Sequence, residues 1–231
     1  MIFIVSISYA ISIFIDVSTY HLKYYIQDSK NVRYLLSLIN IFQYSARAFV
    51  LIFIPMMAYY TETIKDKNLV WEITIIAHIF VVLLLLPLYS YSFSSAFSKR
   101  AVLILNKVFG KSKKINLLKL EKPDSVALKL NKNVLIENFT FFSITFIAGF
   151  LFSISITFLY YLSFSFPQKA LTLSSFTQVL NMFGSLIFIL LVDPKIMSSI
   201  DHGQGHQEIK LLTTSRIFVH LTLIIVLILI K

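Results

Sequence analysis

Residues 34–60 read YLLSLINIFQYSARAFVLIFIPMMAYY. The run is mostly apolar and longer than the roughly 20 residues an α-helix needs to cross a bilayer core. Two side chains in it, Asn40 and Arg47, are out of keeping with hydrocarbon. A charge near the bilayer centre costs at least ~2.5–3.5 kcal/mol, so such residues turn toward a bundle interior, a cavity or a polar substrate. The stretch therefore reads as a membrane helix with lipid on one side and something polar on the other.

Working outward, five more segments have the same character, at about 2–22, 71–95, 134–163, 170–192 and 213–230. Asp16, Gln178, Asn181 and Arg216 lie inside them. Of the 231 residues, 57% are hydrophobic and only 14% charged, against about 25% charged in soluble domains. The expected fold class is all-α: one integral membrane domain over residues 1–231, a polytopic bundle of about six transmembrane helices. Met1 leads directly into apolar residues, with no basic region before them and no small-x-small cleavage site after them. The first segment is therefore read as a retained membrane helix.

The net charge of +10 does not point to nucleic acid, since no basic domain stands apart from the membrane segments. It sets orientation instead. Of 21 Lys and Arg residues, 15 fall in the first, third and fifth connections, four lie on the other side, and Arg47 and Arg216 stay inside segments. The positive-inside rule places the odd-numbered connections in the cytoplasm and both termini outside. The connection 97–133 is the largest non-spanning region. Phe97–Val108 mixes apolar residues with Lys99, Arg100 and Lys107, the pattern of an interfacial amphipathic helix. Gly110 ends it, and Lys111–Lys114 form a polybasic turn that either attracts anionic lipid or only fixes orientation. Pro55 and Pro87 are expected to kink the second and third helices.

On a helix, residues three, four and seven apart share a face. Asp16, Tyr20 and Lys23 form one polar stripe. Ser37, Asn40, Tyr44 and Arg47 form a second, with Gln43 beside it. Ser174, Gln178, Asn181 and Ser185 form a third. Such stripes either glue helices together by hydrogen bonds or line a hydrated cavity, and three stripes with charges favour the cavity. Arg47 lies about 20 Å from the cytoplasmic start of its segment, too deep for easy snorkelling. Asp16 lies about 10 Å from the cytoplasmic end of the first segment, level with Asn40, which leaves a direct Asp16–Arg47 pair open. Unpaired, Arg47 would be a fixed positive charge and a bidentate donor for a phosphate. Arg216 and His220 share a face that this reading places near the cytoplasmic end of the sixth segment, where Arg216 either snorkels to the interface or has a functional role. Glu137 is expected to cap the fourth helix.

No G-x-S-x-G, P-loop or H-E-x-x-H pattern occurs. With no cysteine, disulfides, thiolate metal sites and a Cys nucleophile are excluded. His202 and His206 are separated by Gly203 and Gly205 and have no third ligand nearby, and Asp201 and Glu208 read as solvated, so no metal is expected. The reading is a transporter, with no cofactor and not an enzyme.

Four short motifs occur in order: Asp16-Val17-Ser18-Thr19-Tyr20 with Lys23; Ser37-Leu38-Ile39-Asn40 followed by Ser45-Ala46-Arg47; Asn181 and then Val192-Asp193-Pro194; and Asp201 followed by Ser215-Arg216. Their order and spacing resemble the Amj family, the alternate lipid II flippases of bacteria. The matching positions are Asp16, Tyr20, Lys23, Asn40, Arg47, Asn181, Asp193, Pro194, Asp201, Ser215 and Arg216. Asp16 stands where the family has Glu, Lys23 where it usually has Arg, and Met182 and Phe183 where glycines are expected. The resemblance implies a bacterial cytoplasmic-membrane protein whose partner is lipid II, the undecaprenyl-diphosphate-linked peptidoglycan precursor. On that reading Arg47, Asn40, Gln178 and Asn181 line a groove open to lipid. Lys23 and Arg216 gather the diphosphate, Tyr20 accompanies them, and Asp16 orients Lys23 or an Arg when the groove is empty. Asp193-Pro194 ends the fifth helix. The alternatives are a transporter of another polyprenyl-diphosphate-linked saccharide, a membrane-embedded lipid-diphosphate phosphatase, and a structural membrane protein.

Overall fold

The structure is a computed structural model and describes residues 1–25, 32–109, 132–202 and 205–231. All regular structure among these residues is helical: α1 (Ile2–Tyr25), α2 (Val32–Tyr59), α3 (Lys67–Leu85), α4 (Tyr91–Phe109), α5 (Lys132–Glu137), α6 (Phe139–Ser165), α7 (Ala170–Ile187), α8 (Asp193–Asp201) and α9 (His206–Leu229). Six helical stretches are long and apolar enough to cross a membrane: Ile2–Tyr25, Val32–Ile64, Lys67–Tyr89, Phe139–Ser165, Thr172–Asp201 and His206–Leu229. The chain is an all-α, multi-pass membrane protein.

Local chemistry explains the turns. A π-helical turn at Tyr60–Ile64 extends α2 and closes with the Lys65 N–H donating to the Tyr60 carbonyl at 2.9 Å. Lys65 is left-handed, at φ 55. Asp66 then caps α3, its carboxylate accepting from the Asn68 and Leu69 N–H groups at 2.9 and 3.1 Å, which satisfies donors that a helix start leaves open.

α1 is the central helix, packed against α2, α3, α4 and α9, while α9 also packs on α3 and α6. Val5, Tyr9 and Ile13 of α1 meet Phe53 and Met57 of α2, Ile73 and Val81 of α3, and Ile156 of α6 in the main core. A second cluster at one end joins Tyr20, Tyr24 and Tyr25 to Phe141, Ile196, Ile200 and Leu212. The ends of α1 and α8 and the starts of α6 and α9 therefore lie together. At the opposite end the Trp71 indole donates to the Leu227 carbonyl at 2.7 Å and the Tyr161 hydroxyl to the Ile230 carbonyl at 2.9 Å. α7 rests chiefly on α6, and α2 and α7 do not pack along each other.

Several expectations need correction. Pro87 divides the expected 71–95 helix: α3 gives way to a 3₁₀ turn at Leu86–Tyr89, and α4 begins at Tyr91. α2, by contrast, continues helical through Pro55. Asp193-Pro194 does not end the fifth span. A π-helical turn at Phe188–Val192 carries the chain into α8, with Pro194 in its first turn, where a missing N–H costs least. Glu137 closes the short α5 instead of capping α6, whose cap position is Asn138. α4 covers the expected amphipathic stretch but packs Ser94, Ser98 and Val102 inward, against α1 and α2. The polybasic turn Lys111–Lys114 lies outside the described residues.

Candidate functional site

The largest revision concerns Arg216. α9 begins at His206, seven positions before the expected segment. Arg216 therefore sits about 15 Å along the helix from its start, at mid-depth and not near an end. Asp16, nine residues from the end of α1, and Gly149, ten residues into α6, lie at about 14–15 Å from the same end of the bundle.

Gly149 is what makes room for the guanidinium. A Cβ there would meet Nη1 of Arg216 in direct collision and crowd its Cζ at 3.1 Å. The other side of the cation faces the Phe188 ring, 5.2 Å from its centroid, in cation–π geometry. Nη1 is buried and has no hydrogen-bond partner. Asp16, half-buried, acts electrostatically on Arg216 and also feels Arg47, yet it makes no ion pair with either among the described residues, where the one ion pair joins Lys23 and Asp193. Asp16 and Arg216 thus belong to the two most buried spans, and both remain partly accessible.

The other predicted site residues lie on the two least buried spans. Asn40 and Arg47 are exposed on α2, with the Arg47 cation 6.0 Å from the Tyr44 ring centroid. Gln178 is exposed on α7, and Asn181 is half-buried with a buried, unpartnered Oδ1. The stripes on α2 and α7 thus lie on helices that do not pack along each other, while Asp16, Arg216 and Gly149 lie on α1, α9 and α6. At the Trp71 end α2 also meets α6, where the Tyr160 hydroxyl donates to the Ile54 carbonyl at 3.2 Å. α7 is held close to α6 at Gly184, whose Cβ position lies 2.9 Å from the Ala148 carbonyl oxygen, the small-residue contact that lets membrane helices approach.

At the other end of the bundle is a polar knot that the sequence reading assigned differently. Lys23 does not pair with Asp16. Its ammonium donates to Asp193 Oδ1 at 3.3 Å, and the Tyr20 hydroxyl donates to the same oxygen at 2.7 Å. The Lys23 ammonium also lies 4.6 Å from the Tyr20 ring centroid. Asp193 reaches these groups because α8 continues the span past residue 192; Asp16 lies a full two turns from Lys23 along α1. Asp201 is exposed at the end of α8, and Ser215 is buried, donating to the Leu212 carbonyl. His202 donates from Nδ1 to the Ser198 carbonyl at 2.7 Å, and His206 packs on Tyr24. A separate concavity between α2 and α4, lined by Phe42, Phe93, Phe97 and Leu105, is apolar apart from Arg100.

The sequence reading missed one buried pair altogether. His78 of α3 and His220 of α9 share a hydrogen bond, Nδ1 to Nδ1, at 2.8 Å. Nothing in the local pattern marks it, because the partners are 142 positions apart.

Comparison with known proteins finds no matching family model, no matching curated protein and no matching solved structure.

Proposed function

We propose that α2 and α7 flank a groove open to lipid, along which the chain carries the anionic headgroup of a polyprenyl-diphosphate lipid between membrane leaflets. The observation that carries this reading is Arg216: a guanidinium at mid-depth, seated on Gly149 and Phe188, with a buried nitrogen that has no partner. An unsatisfied buried donor costs ~1–3 kcal/mol, and more when charged. A diphosphate offers several anionic acceptors to such a fork. The apolar tail needs no polar route, so a groove open to lipid suffices.

Two further features support transport over hydrolysis. The polar groups are spread along the depth of the bundle, from Lys23 through Asp16 and Arg216 to Arg47, whereas a phosphatase needs nucleophile, base and donors converging at one depth. The Tyr20–Lys23–Asp193 knot places a releasable cation at the groove end, which the charge distribution assigns to the cytoplasm. The motif order resembling the alternate lipid II flippases of bacteria supports lipid II as the cargo and the bacterial cytoplasmic membrane as the location.

Binding tests the anion contact directly. Purified protein in nanodiscs is titrated with farnesyl diphosphate and with farnesol. The account expects saturable binding of the diphosphate alone, weakened at least ~10-fold by Arg216→Ala, a loss of about 1.4 kcal/mol. Equal binding of the alcohol and the diphosphate would overturn it.

A further inference from the structure

His78 and His220 are each fully buried, and the Nε2 atom of each has no hydrogen-bond partner. The ring centroids lie 5.0 Å apart. Tyr9 sits edge-on to both rings, at 5.8 and 6.1 Å. Its hydroxyl faces that of Ser153. Buried polar atoms in native proteins are normally paired. The two unpaired Nε2 atoms, set between α3 and α9 beside Tyr9 of α1, mark a site with chemical capacity that packing does not use.

The geometry of the pair defines that capacity. In a hydrogen bond between two neutral Nδ1 atoms, one Nδ1 carries the proton and the other accepts it. The rings are then opposite tautomers, one with a bare Nε2 and the other with an Nε2–H. A proton added to the bare Nε2 makes that ring an imidazolium. Its Nδ1 proton crosses the 2.8 Å bond to the facing Nδ1, and the second ring releases its own Nε2 proton. One proton enters, one leaves, and the tautomers exchange. The short Nδ1–Nδ1 bond also argues against a metal held between the rings, since those two nitrogens are already committed to each other.

The pair adjoins the groove. His220 follows Arg216 by four residues, one turn of α9, and Arg216 acts on it electrostatically. Around the pair, α1 contributes Tyr9 and, further off, Asp16; α9 contributes Arg216; α6 contributes Ser153; α2 contributes Phe53, stacked on Tyr9 at 5.0 Å. Among the described residues Arg216 is the one fixed cation acting on the His220 ring.

We propose that His78 and His220 form a proton relay coupled to the Arg216 groove, taking up a proton when a bound anion offsets the guanidinium charge and returning it when the anion leaves. This rests on the reading of Arg216 as an anion site. The Arg216 charge, one turn from His220, opposes a second positive charge on that ring, and an anion at Arg216 removes that opposition. The coupling is reciprocal, so a protonated pair also holds the anion more tightly.

The test uses full-length protein in nanodiscs, farnesyl diphosphate as the probe, and a pH-indicator dye in weak buffer near neutrality. Wild type is expected to take up a proton for each diphosphate bound, beyond any proton exchanged by the probe itself, and His78→Gln and His220→Gln are expected to lose that uptake. Nitrogen-15 NMR of histidine-labelled wild type serves as a second readout independent of the variants' folding: opposite tautomers without the probe, imidazolium signals with it. Binding of the diphosphate with both rings still neutral and no uptake overturns the relay and leaves the anion site standing. Absence of binding overturns both.

Discussion

A guanidinium at mid-depth in an apolar bundle needs both space and a counter-charge. Gly149 supplies the space, and Asp16 supplies charge without closing an ion pair. Gly149→Ala should therefore displace the Arg216 head at little cost in stability, since the far end of a flexible side chain is what must move. Retained unfolding midpoint with diphosphate binding reduced toward the Arg216→Ala level is the expected result; unaltered binding would show that the seat does not matter. Tyr20→Phe removes a donor to a carboxylate that keeps 35% exposure. It should cost about 1–2 kcal/mol, measured by detergent-phase unfolding, and should free Asp193 to hold Lys23 alone. Much of this chemistry was legible as outliers: Asp16, Arg47, Asn181 and Arg216 stand out wherever a polar residue interrupts an apolar run. Their partners were not legible. Lys23 and Asp193 are 170 positions apart, and helical spacing speaks only of neighbours on one helix, so the stripe containing Asp16 suggested the wrong carboxylate.

Elements position these residues, and here the decisive contact is that of α6 with α7. A Cβ on Gly184 would lie 2.9 Å from the Ala148 carbonyl oxygen and 3.1 Å from the Phe152 nitrogen. Backbone cannot swing aside as a side chain does. Gly184→Val should push α7 off α6 and lower stability by about 1–3 kcal/mol, the usual cost of overpacking, read from the unfolding midpoint; a midpoint unchanged from wild type would mean the helices adjust freely. Hydropathy made all six spans visible in the sequence because each must cover the same apolar thickness. Their ends were harder to see. Asp193-Pro194 reads as a stop, yet the π-helical turn at Phe188–Val192 absorbs the proline and adds α8 to the span. The polar opening of α9, His206–Lys210, hid a helix start that tertiary packing against Tyr24 and the α8 end stabilises, and with it the true depth of Arg216.

At the scale of the whole molecule, the account places the Lys23 end of the groove in the cytoplasm and the Trp71 end outside. The absence of native cysteine makes this open to direct labelling. Single cysteines at Lys107 and Lys195 should react with an impermeant maleimide only after the inner face is exposed, and cysteines at Lys65 and Lys169 should react in intact cells; the reverse pattern would invert the topology. The packing of α2 and α7, apart from each other and least buried of the spans, is a property of the assembled bundle that no single segment displays, and the proposed groove rests on it. Movement of a diphosphate lipid along that groove is the central claim. The measurement that tests it most directly follows labelled lipid II between the leaflets of vesicles holding purified wild type or Arg216→Ala, with the inserted amount of each matched. The account predicts protein-dependent crossing by wild type and a loss of at least ~10-fold, about 1.4 kcal/mol of barrier, in the variant. Equal crossing by vesicles with wild type, with the variant and with no protein would contradict it.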